Sequence, residues 1–207
     1  MKICFLELQP FPYNIGGGTT HLIDLGKYFI KKGHDVSIIT SKPGDNQKPL
    51  DVYKGFKIYN VGIPHKIFKK SGVFSTAYKL VYRLMWELSW VRAAKKKLRE
   101  IDPDICNPQS LITTALPCSL TKYPYVAVLH GIYLSGFRKL WKERKSKAAL
   151  RLSKIYEKIE NFNGKRADAI VCDGQDQLDY YKKFGKKKSS IITLGIDPEN
   201  ISKINLN

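Results

Sequence analysis

The sequence predicts an α/β protein whose sheet is doubly wound, mainly parallel and Rossmann-like in topology. Short apolar runs, such as residues 3–8 and 125–129, alternate with longer segments of helical periodicity. Continuous apolar runs are typical of parallel strands that are buried on both faces. The chain has 207 residues, of which 43% are hydrophobic, so it can form a core without a metal or a disulfide.

Apolar or alternating runs bounded by turn-forming residues are predicted to be the strands. They are residues 3–8, 36–40, 56–61, 104–107, 125–129, 168–172 and 190–194. The run at 56–61 alternates between apolar and polar residues, so we expect this strand to be more exposed than the others. The regular return of strand after helix predicts parallel pairing.

Apolar residues at helical spacing predict the helices between these strands. The helices are predicted at residues 19–32, 75–100, 110–120, 139–165 and 175–184. Leu22, Leu25 and Phe29 share one face of the first helix, and Gly33 is expected to cap its C-terminus. Pro117 is expected to weaken the end of the third helix.

The charge of the chain restricts its partners without identifying one. Thirty-six Lys and Arg residues against 18 Asp and Glu residues give a net charge of +18. Such a surface attracts nucleic acid, anionic lipid or phosphorylated ligands. No apolar run approaches the roughly 20 residues that cross a bilayer, and the first residues do not form a signal peptide.

The four cysteines are far apart in the sequence and form no C-x-x-C pair. They are Cys4, Cys106, Cys118 and Cys172. Three of them lie in predicted buried strands, so we interpret all four as reduced core thiols of a cytosolic protein. A zinc site is the remote alternative.

Three consecutive glycines, Gly16, Gly17 and Gly18, connect the first strand to the first helix. This loop lies at the carboxyl edge of the predicted sheet, where α/β proteins bind ligands. Its amides and the following helix N-terminus could hold a phosphate or sugar phosphate, although a flexible turn is the alternative. A dinucleotide fingerprint is excluded because His21 occupies the third glycine position. A P-loop and a G-x-S-x-G elbow are also excluded.

Several segments, taken in order, match one family pattern. The first segment is Gly16 to Leu22 followed by Gly33-His34-Asp35-Val36, and the second is Pro103-Asp104-Ile105. The third is Val128-Leu129-His130-Gly131, and the fourth is Glu160 followed by Ala167-Asp168-Ala169-Ile170-Val171. The last is Leu194-Gly195-Ile196-Asp197. The sequence thereby resembles the N-terminal domain of retaining GT-B glycosyltransferases of the family 4 type. It departs from the family at Leu194, where Asn is usual, and at Asp173, where Ser is usual.

The resemblance implies that residues 1–197 form the acceptor-side domain and that residues 198–207 begin an interdomain linker. Family members continue into a donor-binding domain, which is absent from this sequence. The implied activity is retaining transfer of a sugar from a nucleotide-sugar to a lipid-linked or surface-glycan acceptor, with the chain inactive alone. One alternative is a non-catalytic membrane-anchoring or acceptor-binding subunit of a split enzyme. A nucleic-acid-binding α/β domain is less favoured because no such motif is present.

The resemblance also implies roles for individual residues. His130 would lie beside the donor sugar and act by hydrogen bonding, although a histidine that only caps a strand end is the alternative. The glycines of the loop would contact the donor phosphate or sugar, while His21 and Gly131 would lie on the acceptor side. His21 could equally pack under the loop. No metal ligands and no cofactor besides the nucleotide-sugar substrate are expected.

The helix at 75–100 carries apolar and basic residues on different faces. The predicted core face comprises Ala77, Leu80, Val81, Leu84, Leu88 and Val91. The opposite face includes Lys79, Arg83, Trp86, Trp90 and Lys97. Tryptophans beside basic residues are typical of helices at a membrane surface, so this face is predicted to bind an anionic inner membrane from the cytoplasm. The alternative is that both tryptophans pack under another element.

Overall fold

The computed structural model describes residues 1–14, 16–44, 47–65, 76–132, 134, 138, 147–184 and 189–192. The strands are β1 (Lys2–Leu6), β2 (Asp35–Ser41), β3 (Val52–Tyr53), β4 (Phe56–Val61), β5 (Ile105–Pro108), β6 (Val126–Leu129), β7 (Ala169–Cys172) and β8 (Ser189–Ile191). The helices are α1 (Gly17–Lys31), α2 (Thr76–Ile101), α3 (Leu116–Thr121), α4 (Lys147–Arg166) and α5 (Gln175–Tyr181). Residues 139–146 and 193–207, which include parts of two predicted elements and the predicted linker, lie outside the described residues.

The strands run side by side in the order β3-β4-β2-β1-β5, followed by β6-β7-β8. A parallel bridge between Cys106 and Tyr125 connects the two groups. Every strand pair is parallel except β3 with β4. The chain proceeds outward from β1 in one direction and then crosses back to β5, which creates a topological switch point beside β1. The predicted doubly wound, Rossmann-like sheet is therefore confirmed.

Side chains of the central strands alternate between two apolar cores, one on each face of the sheet. Ile3 and Phe5 of β1 pack with Leu22 of α1, whereas Cys4 and Leu6 pack on the side of α2. All four cysteines are buried and free, as the sequence predicted. Burial on both faces is the reason that these strands could be recognised as continuous apolar runs.

Two local predictions differ from the structure. Residues 111–115 form turns, and α3 begins only at Leu116, so Pro117 lies in the first helical turn rather than near the end. The Thr114 hydroxyl accepts a hydrogen bond from the Ser110 amide and donates one to the Ser110 carbonyl, both at 2.9 Å. These side-chain bonds favour a turn over a helix. The unpredicted strand β3 pairs with β4 through a tight turn at Lys54 and Gly55, both of which have positive φ.

The prediction that Trp86 and Trp90 face a membrane is wrong. Trp86 is 4% exposed and Trp90 is fully buried. The loop of residues 62–65 that follows β4 packs onto this face of α2. The ring centroids of His65 and Trp86 are 4.7 Å apart, and the Ile63 amide donates to Ser89 Oγ at 3.1 Å. The alternative, that both tryptophans pack under another element, is therefore confirmed.

The rest of the predicted membrane face is also placed differently. Arg83 lines a pocket, and Lys97 lies over the ring of Tyr59 with Nζ 5.1 Å from the ring centroid. The side chain of Lys79 lies outside the described residues. On the predicted core face, Val91 is buried as expected, but other members, such as Leu88, are exposed. Among the described residues, no helix combines the length and apolarity that crossing a bilayer requires.

Replacement of Gly26 by alanine is predicted to destabilise the fold. A Cβ atom at this position of α1 would lie 2.1 Å from Cε1 of Phe56, a ring that is fully buried. We expect Gly26→Ala to lower the free energy of unfolding by about 1–3 kcal/mol in urea denaturation. The matched control is Gly17→Ala on the same helix, where a Cβ meets nothing within 4 Å. Equal stability of the two variants would contradict the packing of α1 on β4.

Candidate active site

A pocket of about 490 Å³ opens at the switch point of the sheet. Glu7, Gln109 and His130 each follow directly after a strand, namely β1, β5 and β6, and all three line the pocket. The loop before α1 contributes Gly16 and Gly18. The carboxyl ends of parallel strands meet a helix N-terminus here, which is the usual location of a ligand site in an open α/β sheet.

His130 is held from two sides. Its Nε2 atom lies 2.8 Å from Oε1 of Gln109. Its ring meets the ring of His21 edge-on, with centroids 5.7 Å apart. A Cβ atom on Gly18 would lie 3.1 Å from Cδ2 of His130, so the glycine allows the loop to approach the ring closely. Burial, and then the neighbouring His21, lower the pKa of His130, while Asp173 acts in the opposite direction.

The glycine loop leaves backbone amides at the start of α1 without helical hydrogen bonds. The first helical hydrogen bond of this turn is donated by the Thr20 amide to the Gly16 carbonyl at 3.0 Å. The amides of residues 17–19 therefore precede the helical hydrogen bonds, and no side chain caps this helix. Such amides, together with the helix dipole, favour binding of an anion or a polar oxygen. Gly16 and Gly18 line the pocket, whereas Gly17 is not among its lining residues.

The structure places the two predicted acceptor-side residues next to His130 rather than along the pocket wall. His21 is half-buried in the first turns of α1 and packs against the His130 ring. Burial lowers the pKa of His21, and the nearby Asp24 partly opposes this effect. Gly131 follows His130 directly and is half-buried. Neither residue is among the lining residues of the pocket.

Glu7 is a pocket residue that the sequence analysis missed. Its Oε1 atom accepts a hydrogen bond from the Gln9 amide at 2.9 Å. Burial raises the pKa of the Glu7 carboxyl to about 7, and the hydrogen bonds from the Gln9 and Leu8 amides act in the opposite direction. Glu7 escaped notice because it fell inside the predicted strand 3–8, although a carboxylate in an otherwise apolar run was a usable signal.

The far wall of the pocket contains a buried carboxylate with several partners. Glu87 of α2 is 5% exposed and pairs with Arg83, whose Nε lies 2.9 Å from Oε1. The hydroxyl groups of Tyr156 and Thr113 donate to Oε2 at 2.9 and 3.2 Å. This cluster joins α2, α4 and the turns after β5. The spacing of Arg83 and Glu87, four residues apart on a helix, was the sequence signal for the ion pair.

No group of three or more His, Cys, Asp or Glu side chains within the described ranges is arranged to hold a metal ion. The described lining of the pocket consists largely of hydrogen-bonding side chains together with Gly16 and Gly18. Only three of its described lining residues, Glu7, Arg83 and Glu87, belong to the strongly ionisable types. Such a site can bind a polar ligand and hold its reacting groups in place.

The profile of Glycosyltransferase Family 4 matches residues 15–200 of this chain. The chain belongs to glycosyltransferase family 4. The match includes the glycine loop, the pocket wall on α2 and His130, so the family assignment and the pocket concern the same part of the molecule. Among curated proteins, none matches this chain in sequence.

Solved structures share the fold of this family 4 chain at low sequence identity. Sucrose-phosphate synthase from Thermosynechococcus elongatus aligns with a TM-score of 0.65 and 13% identity, over 95% of this chain and 48% of that chain. WaaG, described as a glycosyltransferase involved in lipopolysaccharide biosynthesis, aligns with a TM-score of 0.61 and 16% identity, over 99% of this chain and 48% of that chain. MurG from Acinetobacter baumannii aligns with a TM-score of 0.53 and 12% identity, over 96% of this chain and 47% of that chain. The chain thus spans about half the length of these proteins and forms a Rossmann-like half of a GT-B fold.

Glu7 is predicted to make the stability of the protein depend on pH. Its folded-state pKa of about 7 lies above the ordinary value of 4.5, so the folded state holds the proton more tightly. Stability therefore falls as the pH rises from about 4.5 to 7 and stays lowered above that range. We expect Glu7→Gln, which still accepts from the Gln9 amide, to remove this loss. At pH 8 the free energy of unfolding of the variant should exceed that of the native chain by about 1–3 kcal/mol, and at pH 4 the two should differ little.

Denaturation by urea at a series of pH values measures this difference. The matched control is Glu100→Gln, because Glu100 is exposed and the hydrogen bond from Lys97 lowers the pKa of its carboxyl. The gain of Glu7→Gln over this control should grow with pH. A gain that is constant from pH 4 to pH 8 would contradict the raised pKa of Glu7.

Proposed function

We propose that this chain is the acceptor-side N-terminal domain, residues 1–197, of a glycosyltransferase that uses a nucleotide-sugar donor and retains the anomeric configuration. The acceptor is a lipid-linked or surface-glycan precursor. The observation that carries this proposal is the meeting of His130 and the glycine loop in one pocket at the switch point of a family 4 chain. A second, donor-binding domain or subunit completes the enzyme.

The donor-side roles follow from the groups at the switch point. The amides of the glycine loop stabilise negative charge on the leaving diphosphate or orient the donor sugar. Neutral His130 contributes a hydrogen bond to the sugar, and the reaction requires no metal ion and no nucleophile from this chain. Positioning and charge stabilisation then supply the rate enhancement. Burial, and then the neighbouring His21, lower the pKa of His130, which favours the uncharged ring that this hydrogen-bonding role requires.

The acceptor-side role belongs to the wall formed by Arg83, Glu87, Thr113 and Tyr156. Among the described residues that line the pocket, one arginine and two glutamates leave little net formal charge, although the whole chain carries +18. This wall, with its ion pair and its hydroxyl groups, suits a neutral sugar better than a phosphate. The anionic part of a lipid-linked acceptor would then lie on the basic outer surface.

The exposed side of α2 supports a contact with the membrane that carries such an acceptor. Val81, Met85 and Leu88 are 55%, 58% and 60% exposed. Arg92 and Lys96 continue the same side of the helix and are exposed. Spacings of three and four residues place all five on one stripe, which we name the α2 stripe. We infer that the α2 stripe binds anionic lipid at the cytoplasmic face of the inner membrane, in place of the buried tryptophans.

Replacement of His130 by alanine in the native enzyme that contains this chain tests the site. We expect His130→Ala to lower kcat/KM for sugar transfer by about 10²-fold to 10³-fold, because a preorganised hydrogen bond at the reacting sugar is lost. Release of nucleoside diphosphate from a panel of nucleotide-sugars measures the rate. The matched control is His34→Ala, since His34 lies at the opposite end of the sheet, 3.4 Å from the N-terminal amine. Unchanged turnover in His130→Ala would refute the assignment.

Polar substitution of the α2 stripe tests the membrane contact. We expect Met85→Ser combined with Leu88→Ser to reduce co-sedimentation with vesicles of phosphatidylglycerol by at least about fivefold, because buried apolar area drives interfacial binding. The control is Val52→Ser, which removes another apolar side chain that is 65% exposed but lies on β3. Equal binding of all variants, or equal binding to neutral and anionic vesicles, would exclude the α2 stripe as a lipid surface.

A further inference from the structure

A chain of side-chain hydrogen bonds leads from a backbone carbonyl to His130. The amide Nδ2 of Asn107 donates to the carbonyl oxygen of Val126 at 2.9 Å. Because a carbonyl only accepts, this bond fixes which end of the Asn107 amide faces β6. The other end, Oδ1, accepts from Nε2 of Gln109 at 2.6 Å, and that Nε2 is also 3.3 Å from the Asn107 carbonyl oxygen.

The orientation of Gln109 then determines which nitrogen of the neutral His130 ring carries the proton. With Nε2 of Gln109 facing Asn107, its Oε1 atom faces the histidine at 2.8 Å. An amide oxygen cannot donate, so the proton of the neutral imidazole must be on Nε2 of His130. Gln109 is only 4% exposed, so bulk water does not compete strongly for these bonds.

The same chain of bonds leaves Nδ1 of His130 as a lone-pair acceptor. Nδ1 is buried and has no hydrogen-bond partner among the described residues. A buried acceptor without a partner costs free energy, which a donor from a bound ligand would recover. Sugar hydroxyl groups are donors of this kind.

We propose that Asn107 and Gln109 are positioning residues that hold His130 as the neutral Nε2–H tautomer, so that Nδ1 accepts a hydrogen bond from a sugar hydroxyl. The tautomer follows from the hydrogen bonds alone, whereas the sugar hydroxyl rests on the proposed function. Amide side chains suit this task because a neutral amide oxygen stabilises the imidazolium much less than a carboxylate does. A carboxylate at position 109 would attract a second proton to the ring and turn Nδ1 from an acceptor into a donor.

Nitrogen-15 NMR of the labelled chain tests the tautomer directly. We expect the native His130 to show a protonated Nε2 and an unprotonated Nδ1 at pH 7. In Gln109→Glu, the pKa of His130 should rise by at least about one pH unit, because a carboxylate then faces Nε2. The other titratable groups that influence the ring, His21 and Asp173, are unchanged in this variant. In Asn107→Ala, only the longer bond to the carbonyl oxygen of residue 107 still orients the Gln109 amide, so a measurable fraction of the Nδ1–H tautomer should appear beside the Nε2–H tautomer.

The matched control is Gln175→Glu, which makes the same chemical change at the exposed start of α5 and should leave the His130 signals unchanged. Backbone amide spectra establish that each variant is folded. A native ring protonated on Nδ1 would overturn the proposal. An unchanged His130 pKa in folded Gln109→Glu would overturn it as well.

The pH dependence of turnover in the native enzyme tests the hydroxyl contact. Gln109→Glu should lower kcat/KM by about 10²-fold at pH 6.5, and part of the loss should return at higher pH as the imidazolium loses its proton. A merely structural defect would not recover with pH. If the native enzyme transfers sugar and Gln109→Glu has an unaltered pH profile, the hydroxyl contact is refuted. If the native enzyme transfers no sugar, the proposed function fails, while the NMR result still decides the positioning role.

Discussion

The pocket depends on the seam between β5 and β6, where the sheet has little backbone pairing. Within the described part of the chain, one bridge, Cys106 with Tyr125, joins the two groups of strands, and the Cys106 amide donates to the Pro124 carbonyl at 2.9 Å. One residue further along, the side chain of Asn107 takes over and bonds to the Val126 carbonyl. Side-chain amides thus continue across the seam where the backbone ladder ends, and the last of these bonds is the contact between Gln109 and His130.

Tyr125, which directly precedes β6, stabilises the seam between β5 and β6. Its backbone amide donates to Asp168, and its hydroxyl donates to the carbonyl of Asn163 at 2.5 Å. The fully buried amide of Asn163 donates to the carbonyls of Leu111 and Ile112 at 2.8 and 2.9 Å. These bonds hold the turns after β5 in place, and the same turns supply Thr113 to the pocket wall. A polar network that is almost wholly satisfied, and buried, specifies one arrangement of the strands and helices around the site.

The sequence predicted the elements better than it predicted their surroundings. Strands such as β6 and β7 were placed within one residue, because burial on both faces leaves a continuous apolar run. The α2 face was assigned wrongly because the loop of residues 62–65 covers Trp86, while Trp90 packs into the core with side chains of the sheet such as Leu6 and Ile39. Periodicity within the helix does not reveal which parts of the chain pack against it. Helix moments report the contrast between faces but not which face is covered.

The candidate site was predicted only where chain position alone implied proximity. His130 and the glycine loop follow strands at the same sheet edge, so their meeting could be expected from topology. Glu87 and Tyr156, in contrast, are 69 positions apart and meet through the packing of two helices. Gln109 was not singled out because its role comes from Asn107 and Val126, which orient its amide across the seam. The spacing of residues along the sequence does not reveal a role that depends on such additional contacts.

One helix connects the pocket with the outer surface. The same two turns of α2 carry Arg83 and Glu87 at the pocket and Met85 and Leu88 on the α2 stripe. The width of a helix with its side chains is about 10–12 Å, so a surface bound at the α2 stripe would lie about one helix diameter from the pocket wall. A lipid-linked acceptor would then need to extend its sugar only that far from its headgroup. Under the proposed function, the exposed apolar residues and the buried ion pair on α2 would bring both ends of such a substrate within reach of one helix.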